Sequence, residues 1–204
     1  MPNKFNKNPE NRFGTFQVNC KEMGYFTEDY VLLNKKQHQV DKNFGTAVKH
    51  KVKDIKRFCE SIGCFEILDY GCGKGKLKEL LGPSYTVHEF DPAIDGKQVI
   101  HKSLYPIVVC SDVLEHVEPI MISKVLFHLQ DLTRFGIYLT ISTSSGTRRL
   151  PDGSLAHRCV HPAYWWLDLL AIHFPVETGD VEYHTTKDEL TFIWTKHKEE
   201  TEQV

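Results

Sequence analysis

The sequence predicts an α/β protein, a single domain over 25–197 built on a doubly wound, mostly parallel, seven-stranded sheet with a C-terminal antiparallel hairpin. Three observations carry this. Short β-type runs alternate with helix-compatible runs from Phe65 to Phe174, which implies parallel βαβ units. The first run stops abruptly in the glycine-rich turn Gly71-Cys72-Gly73-Lys74-Gly75 before the next helix. The domain closes on VEYHTTKDELTFIWTK, two alternating runs around a polar turn.

Taken in order, residues 1–24 read as a flexible polar lead and 198–204 as a polar tail. Between Tyr25 and Phe44, Tyr30, Leu33 and Gln37 fall at helical spacing behind Thr27, a natural N-cap, and Gly45 breaks the run. The next segment puts Val48, Val52, Ile55, Phe58 and Cys59 on one stripe and stops at Gly63, an amphipathic helix with a glycine C-terminus. FEILDY is the first strand, KLKELL a helix ended by Gly82-Pro83, and YTVHEFD the second strand, ended by Asp91-Pro92. KQVIHKSL is a weaker third strand and PIVVCSD a fourth; Pro119 to Thr133 is helical, and FGIYLTIS is the fifth strand. A polar loop, TSSGTRRLPDGSLAH, leads to the helix HPAYWWLDLLAIHF, where Pro162 suits the first turn. The helices over 25–62 precede the first strand and have the position of a lid.

The composition is that of an ordinary soluble domain, with 41% hydrophobic and 25% charged residues. No apolar run reaches the ~18 residues of a membrane span, and the N-terminus lacks a signal-peptide core, so a cytoplasmic protein is expected. Six cysteines are scattered with no CxxC pair, which fits reduced, buried thiols. Residues 1–57 hold 12 Lys/Arg against 6 Asp/Glu, while the remainder is acidic. A basic arm attracts anions, but no base-stacking motif accompanies it, so a nucleic-acid partner is disfavoured.

The chemistry is expected at Asp69-Tyr70-Gly71-Cys72-Gly73. In a doubly wound sheet the ligand sits beyond the carboxyl ends of the strands, and glycines there let backbone approach it closely. Asp91 follows Gly71 by 20 positions, at the tip of the second strand, where a carboxylate accepts hydrogen bonds from ribose hydroxyls. Glu89 is the fallback. A dinucleotide loop would need glycine where Lys76 stands, and neither Lys74 nor Lys76 of this loop is followed by Ser or Thr as a P-loop requires.

ILDYGCGKG, Asp91-Pro92 and VVCSDVLEH resemble the first, second and fourth motifs of class I S-adenosylmethionine-dependent methyltransferases, in the branch whose fourth motif reads DVLEH. The chain is further similar to a subgroup often seen in bacteria and bacteriophages, through Asp29-Tyr30, Leu33-Asn34 and His38, through LPDGSLAH (Leu150–His157), and through Pro162 with Trp165-Trp166. The resemblance implies a Rossmann-like methyltransferase fold with S-adenosylmethionine as cofactor. Asp69, Tyr70, Gly71, Cys72 and Gly73 would flank its methionine part, and Asp91 with Pro92 its ribose. Ser111, Asp112 and Val113 would lie near the methyl-transfer face. Two departures stand out: the stretch between Asp91 and the fourth strand is short, and HKSLYP has no counterpart of the family's usual acidic contact to adenine.

A base with a pKa near operating pH favours histidine, and His157 and His116 are the candidates. Tyr30, Asn34 and His38, at i, i+4 and i+8, can reach the site from one helix face; Arg148 and Trp165 are the other candidate acceptor contacts. One member of the Trp165-Trp166 pair should be core. His157, Cys159 and His161 match no standard zinc pattern, so no metal is expected. The fourth strand lacks the N/D-P-P-Y/F of amino-group DNA methylation and the Pro-Cys of cytosine C5 attack. The leading expectation is therefore O- or N-methylation of a small molecule, sugar or peptide group. A non-catalytic cofactor-binding scaffold and a nucleic-acid methyltransferase are the alternatives.

Overall fold

The computed structural model describes residues 24–197 and the backbone strand β1, Val18–Asn19. The rest of the expected lead and the expected tail lie outside the described residues. Helix α1 spans Glu28–Val40 and is started by Thr27, whose hydroxyl accepts the Tyr30 N–H at 3.1 Å and donates to Glu118 at 2.7 Å. The following segment is not one helix. A 3-10 turn over Ala47–His50 precedes α2, Val52–Ile62. Gly63, at φ 75°, closes α2 by donating its N–H to the carbonyls of Cys59 and Glu60.

The chain continues through β2 (Glu66–Tyr70), α3 (Lys76–Leu81), β3 (Thr86–Phe90), β4 (Val99–Ile100) and β5 (Tyr105–Ser111). It then forms α4 (Ile122–Leu132), β6 (Thr133–Ser142), α5 (Ala163–His173), β7 (Gly179–Thr185) and β8 (Glu189–Lys196). Pro162 caps α5 instead of occupying its first turn. The main sheet has the order β3-β2-β5-β6-β8-β7, parallel from β3 to β6 and antiparallel where β8 pairs with β6 and β7.

Among the described residues this sheet has 6 strands, not the expected seven. The weak third segment is the reason: it forms only β4, which pairs antiparallel with β1 outside the main sheet. Chain order reverses between β2 and β5, which makes that gap the switch point where ligands enter such folds.

Period-two alternation divides the core between the sheet faces. Leu68, Tyr70, Phe90, Val108 and Cys110 pack with α4 and α5, including the fully buried Trp166. Ile67, Val87, Ile107, Val109 and Tyr138 pack on the opposite face with Ile55, Phe58 and Cys59 of α2 and Leu77 of α3. Cys59, Cys64, Cys72, Cys110 and Cys159 are all free thiols. No helix among the described residues is long and apolar enough to cross a membrane.

Candidate active site

A cavity of about 490 Å³ opens where β2, β3, β5 and β6 end. It falls within the ~300–1,000 Å³ of small-molecule and cofactor sites. One wall is the glycine loop after β2. The Gly71 and Cys72 N–H groups donate to the Phe90 carbonyl at 2.7 and 3.0 Å, which folds the loop across the end of β3. Gly71, at φ 78°, has no room for a side chain, since a Cβ would lie 2.4 Å from Val113 Cγ2. Gly73, at φ 50°, meets the loop after α1 backbone to backbone: a Cβ there would lie 2.8 Å from the Gly45 carbonyl oxygen.

Two buried carboxylates frame this wall. Asp91 accepts the Gly73 N–H at 2.9 Å and the Ala93 N–H at 2.8 Å, so it staples the glycine loop to the tip of β3. Burial raises its pKa, and the facing His38 opposes that shift. Asp69 lies behind the loop with its Oδ2 buried and unpartnered among the described residues. Burial, reinforced by the nearby Glu89, pushes the Asp69 carboxyl up to about 8.

The opposite end of the cavity is built by the segment after β5. Asp112, at φ 55°, is the non-glycine residue in a left-handed conformation among those described; Ser111 donates to it at 3.1 Å and pairs with the Thr140 hydroxyl at 2.8 Å. Glu115 is fully buried. Its Oε1 accepts the Ser142 N–H at 2.9 Å, whereas Oε2 has no partner among the described residues. Burial, with Asp112 nearby, pushes this carboxyl up to about 8.

The Glu115 carbonyl also accepts the N–H groups of Arg158 and Cys159 at 2.7 and 2.9 Å, which brings His157 alongside His116. Their rings meet edge to face with centroids 4.8 Å apart. Each Nδ1 faces a backbone carbonyl, Ala156 for His116 at 3.0 Å and Ser144 for His157 at 2.7 Å. A carbonyl only accepts, so both Nδ1 atoms carry the proton and both Nε2 atoms keep a lone pair. Burial, with His157 beside it, pulls the His116 pKa down to about 3, which makes it a poor proton acceptor.

Of the residues expected from the sequence, Asp69, Gly71, Cys72, Gly73, Asp91, Ser111, Asp112 and Val113 all line this cavity. His116, His157, Tyr30, Asn34, His38 and Arg148 line it too, so the i, i+4, i+8 face of α1 does point inward. Arg148 is held by Asp41 at 3.2 Å and lies 5.5 Å from the centre of the Phe44 ring.

Four expectations need correction. The Tyr70 side chain packs in the core with its hydroxyl 3.0 Å from His128 Nδ1, because its neighbour Asp69 takes the cavity face of β2. Asp91 and Ala93 line the cavity and Pro92 between them does not. Trp165 is not at the cavity either; it stacks on His161 at 3.8 Å, and its neighbour Trp166 is the core member of the pair. Glu89, the fallback for Asp91, is engaged by Lys97 at 2.9 Å and Lys78 at 3.5 Å, outside the cavity lining.

The sequence reading also missed lining residues. Ser142 ends β6 at the carboxyl edge of the sheet, a position the topology alone marks. Thr186, Asp188 and Glu189 arrive from the β7–β8 turn, and Glu189 is bonded by Lys51. Glu115 carried a signal in its place within DVLEH, but not its burial.

A family described as a methyltransferase domain matches residues 21–190. Solved structures share the fold. The 1,6-didemethyltoxoflavin-N1-methyltransferase of Burkholderia thailandensis superposes with TM-score 0.57 at 14% identity, covering 89% of this chain and 91% of that one. The N-methyltransferase NodS of Bradyrhizobium japonicum gives 0.55 at 14% identity, covering 83% and 100%. The magnesium protoporphyrin IX methyltransferase ChlM of Synechocystis gives 0.52 at 14%, covering 88% and 99%. A search of curated protein sequences finds no significant match. With its glycine loop, stapled aspartate and strand order all in place, and a family match spanning most of its length, the chain belongs to the methyltransferase-domain family.

Proposed function

We propose that the chain is a cytoplasmic S-adenosylmethionine-dependent methyltransferase of the DVLEH branch, acting on an oxygen or nitrogen of a small molecule, sugar or peptide group. The observation that carries this is a single cavity running from the Gly71–Gly73 loop and Asp91 to His157. The three superposed enzymes were each solved with S-adenosylhomocysteine bound.

The residues present fit the cofactor. Two glycines leave a cradle that side chains would fill, and the orphaned Asp69 oxygen is a ready acceptor for an ammonium group. Asp69 and the glycine loop would hold the methionine part. Asp91 keeps lone pairs for ribose hydroxyls beyond the two backbone amides it already serves. Asp112 and Val113 would border the transfer face. When bound, S-adenosylmethionine supplies a methyl group on a sulfonium leaving group.

What remains for the protein is to align, desolvate and deprotonate the acceptor. Tyr30, Asn34, His38 and Phe44 line the cavity from α1 and the loop after it, where they would shield a bound acceptor from water. His157 presents Nε2 to the acceptor end with its tautomer fixed by Ser144, and we assign it as the proton acceptor. Arg148 is the contact for an anionic part of the acceptor. Calorimetry with S-adenosylhomocysteine tests the reading: saturable binding is expected, weakened at least about tenfold by Asp91→Asn, the loss of one charge-assisted contact. Transfer of labelled methyl into a small-molecule extract and not into nucleic acid selects the acceptor class. Absence of binding at millimolar ligand would sink the proposal.

A further inference from the structure

We propose that Glu115, His116 and His157 form a site for one divalent first-row transition-metal ion at the acceptor end of the cavity. One ligand atom from each lies within 4.8 Å of the others. Glu115 and His116 are neighbours in sequence and His157 joins them from the loop beyond β6, and two features of their surroundings prepare them as ligands.

The first is tautomer control. Both histidines spend Nδ1–H on a backbone carbonyl and leave Nε2 unprotonated, as metal-bound imidazoles almost always do. The second is an orphaned oxygen. Glu115 is fully buried, its Oε1 is fixed by the Ser142 amide, and its Oε2 has no partner among the described residues. A buried carboxylate oxygen left bare costs free energy that a cation would recover.

The surrounding charge points the same way. Asp112, Asp188 and Glu189 line the same end of the cavity as Glu115, against Arg148 and the Lys51 ammonium bonded to Glu189. An ion with ligand bonds of about 2.0–2.2 Å needs donors roughly 3.0–3.5 Å apart, so the three groups would close in by small side-chain rotations. Two imidazoles and one carboxylate select Mn²⁺, Fe²⁺, Co²⁺ or Zn²⁺ over Mg²⁺ and Ca²⁺, which prefer all-oxygen shells. Three protein ligands leave coordination positions open to water or to an oxygen of the acceptor. With the ion bound, His157 Nε2 is a ligand and no longer the proton acceptor, and the ion in its place would make that oxygen more acidic.

The site itself stands on this geometry; its use in holding an acceptor oxygen rests on the methyltransferase reading above. The test uses the full chain stripped with EDTA and titrated with Co²⁺ and Mn²⁺, read by visible absorption, by electron paramagnetic resonance and by calorimetry. About one equivalent is expected to bind saturably, with Co²⁺ bands typical of mixed nitrogen and oxygen ligands. Glu115→Gln, which keeps the acceptor for Ser142, and His157→Ala should each weaken binding at least about tenfold. Asp91→Asn should leave it intact. Thermal unfolding of each variant establishes that it is folded. No saturable binding, or binding that survives both substitutions in folded protein, overturns the site. Metal binding without S-adenosylhomocysteine binding would keep the site and overturn the cofactor reading instead. If methyl transfer proceeds undiminished in EDTA while the metal site is confirmed by titration, the ion has no role with the acceptor, and that use of the site is overturned.

Discussion

At the end of the cavity proposed to hold the cofactor, Asp69 carries the charge expected to matter most. Its folded-state pKa of about 8 lies above the unfolded value of 3.8, because burial and Glu89 disfavour the carboxylate more than Lys97 supports it. Its protonated form therefore stabilises the ligand-free protein below pH 3.8, and that contribution is lost as pH rises through 8. Chemical denaturation across this range should show Asp69→Asn, which never ionises, becoming steadily more stable than the parent toward alkaline pH. Affinity for the cationic cofactor should rise over the same interval, since the carboxylate is the form that accepts an ammonium group. Asp112 poses a different problem. Its left-handed conformation costs an L-residue about 1 kcal/mol or more, which Asp112→Gly should recover as a higher melting temperature while turnover falls. Asp91 and the glycines were readable from the sequence because spacing and residue type fix their place at strand tips. Trp165 was not, since adjacent helical residues differ by about 100° and only packing on the sheet decides which one is buried.

At the level of elements, the decisive contact joins the loop after α1 to the loop after β2. Gly45 and Gly73 approach so closely that neither side tolerates a Cβ. Gly73→Ala should destabilise the fold by roughly 1–3 kcal/mol and abolish S-adenosylhomocysteine binding, measured by thermal shift with and without ligand. The α2 face is a conventional core by comparison. Ile55 is fully buried, and Ile55→Ala should cost about 2–5 kcal/mol in denaturant melts while leaving ligand affinity per folded molecule unchanged. Helices α1 and α2 were legible through Thr27 and Gly63, which signal their ends locally. The missing third strand was half legible: KQVIHKSL is β-like in composition, but a parallel partner on the β3 edge needs more chain than lies between Asp91 and β5. The convergence of His116 with His157 left no local trace, because it depends on the Glu115 carbonyl capturing the loop beyond β6.

For the whole molecule, two sheet faces covered by helices and one switch point account for where the cavity lies. The strands that build its floor are parallel neighbours, while the strand that completes its far wall is antiparallel. Strand β8 lies between β6 and β7, yet it is the last strand in chain order among the described residues. During synthesis β7 therefore emerges before the partner it needs, and β6 waits with an open edge until residues 189–196 leave the ribosome. A nascent chain stalled at residue 188 would offer that unpaired edge to any neighbour, and a protein truncated there should aggregate in a light-scattering assay where the full chain stays clear. The carboxylate of Glu189 arrives on the same late strand, so the far wall of the cavity and the finished sheet are delivered together. Half-made copies of this chain would then be unable to act on anything before they are whole.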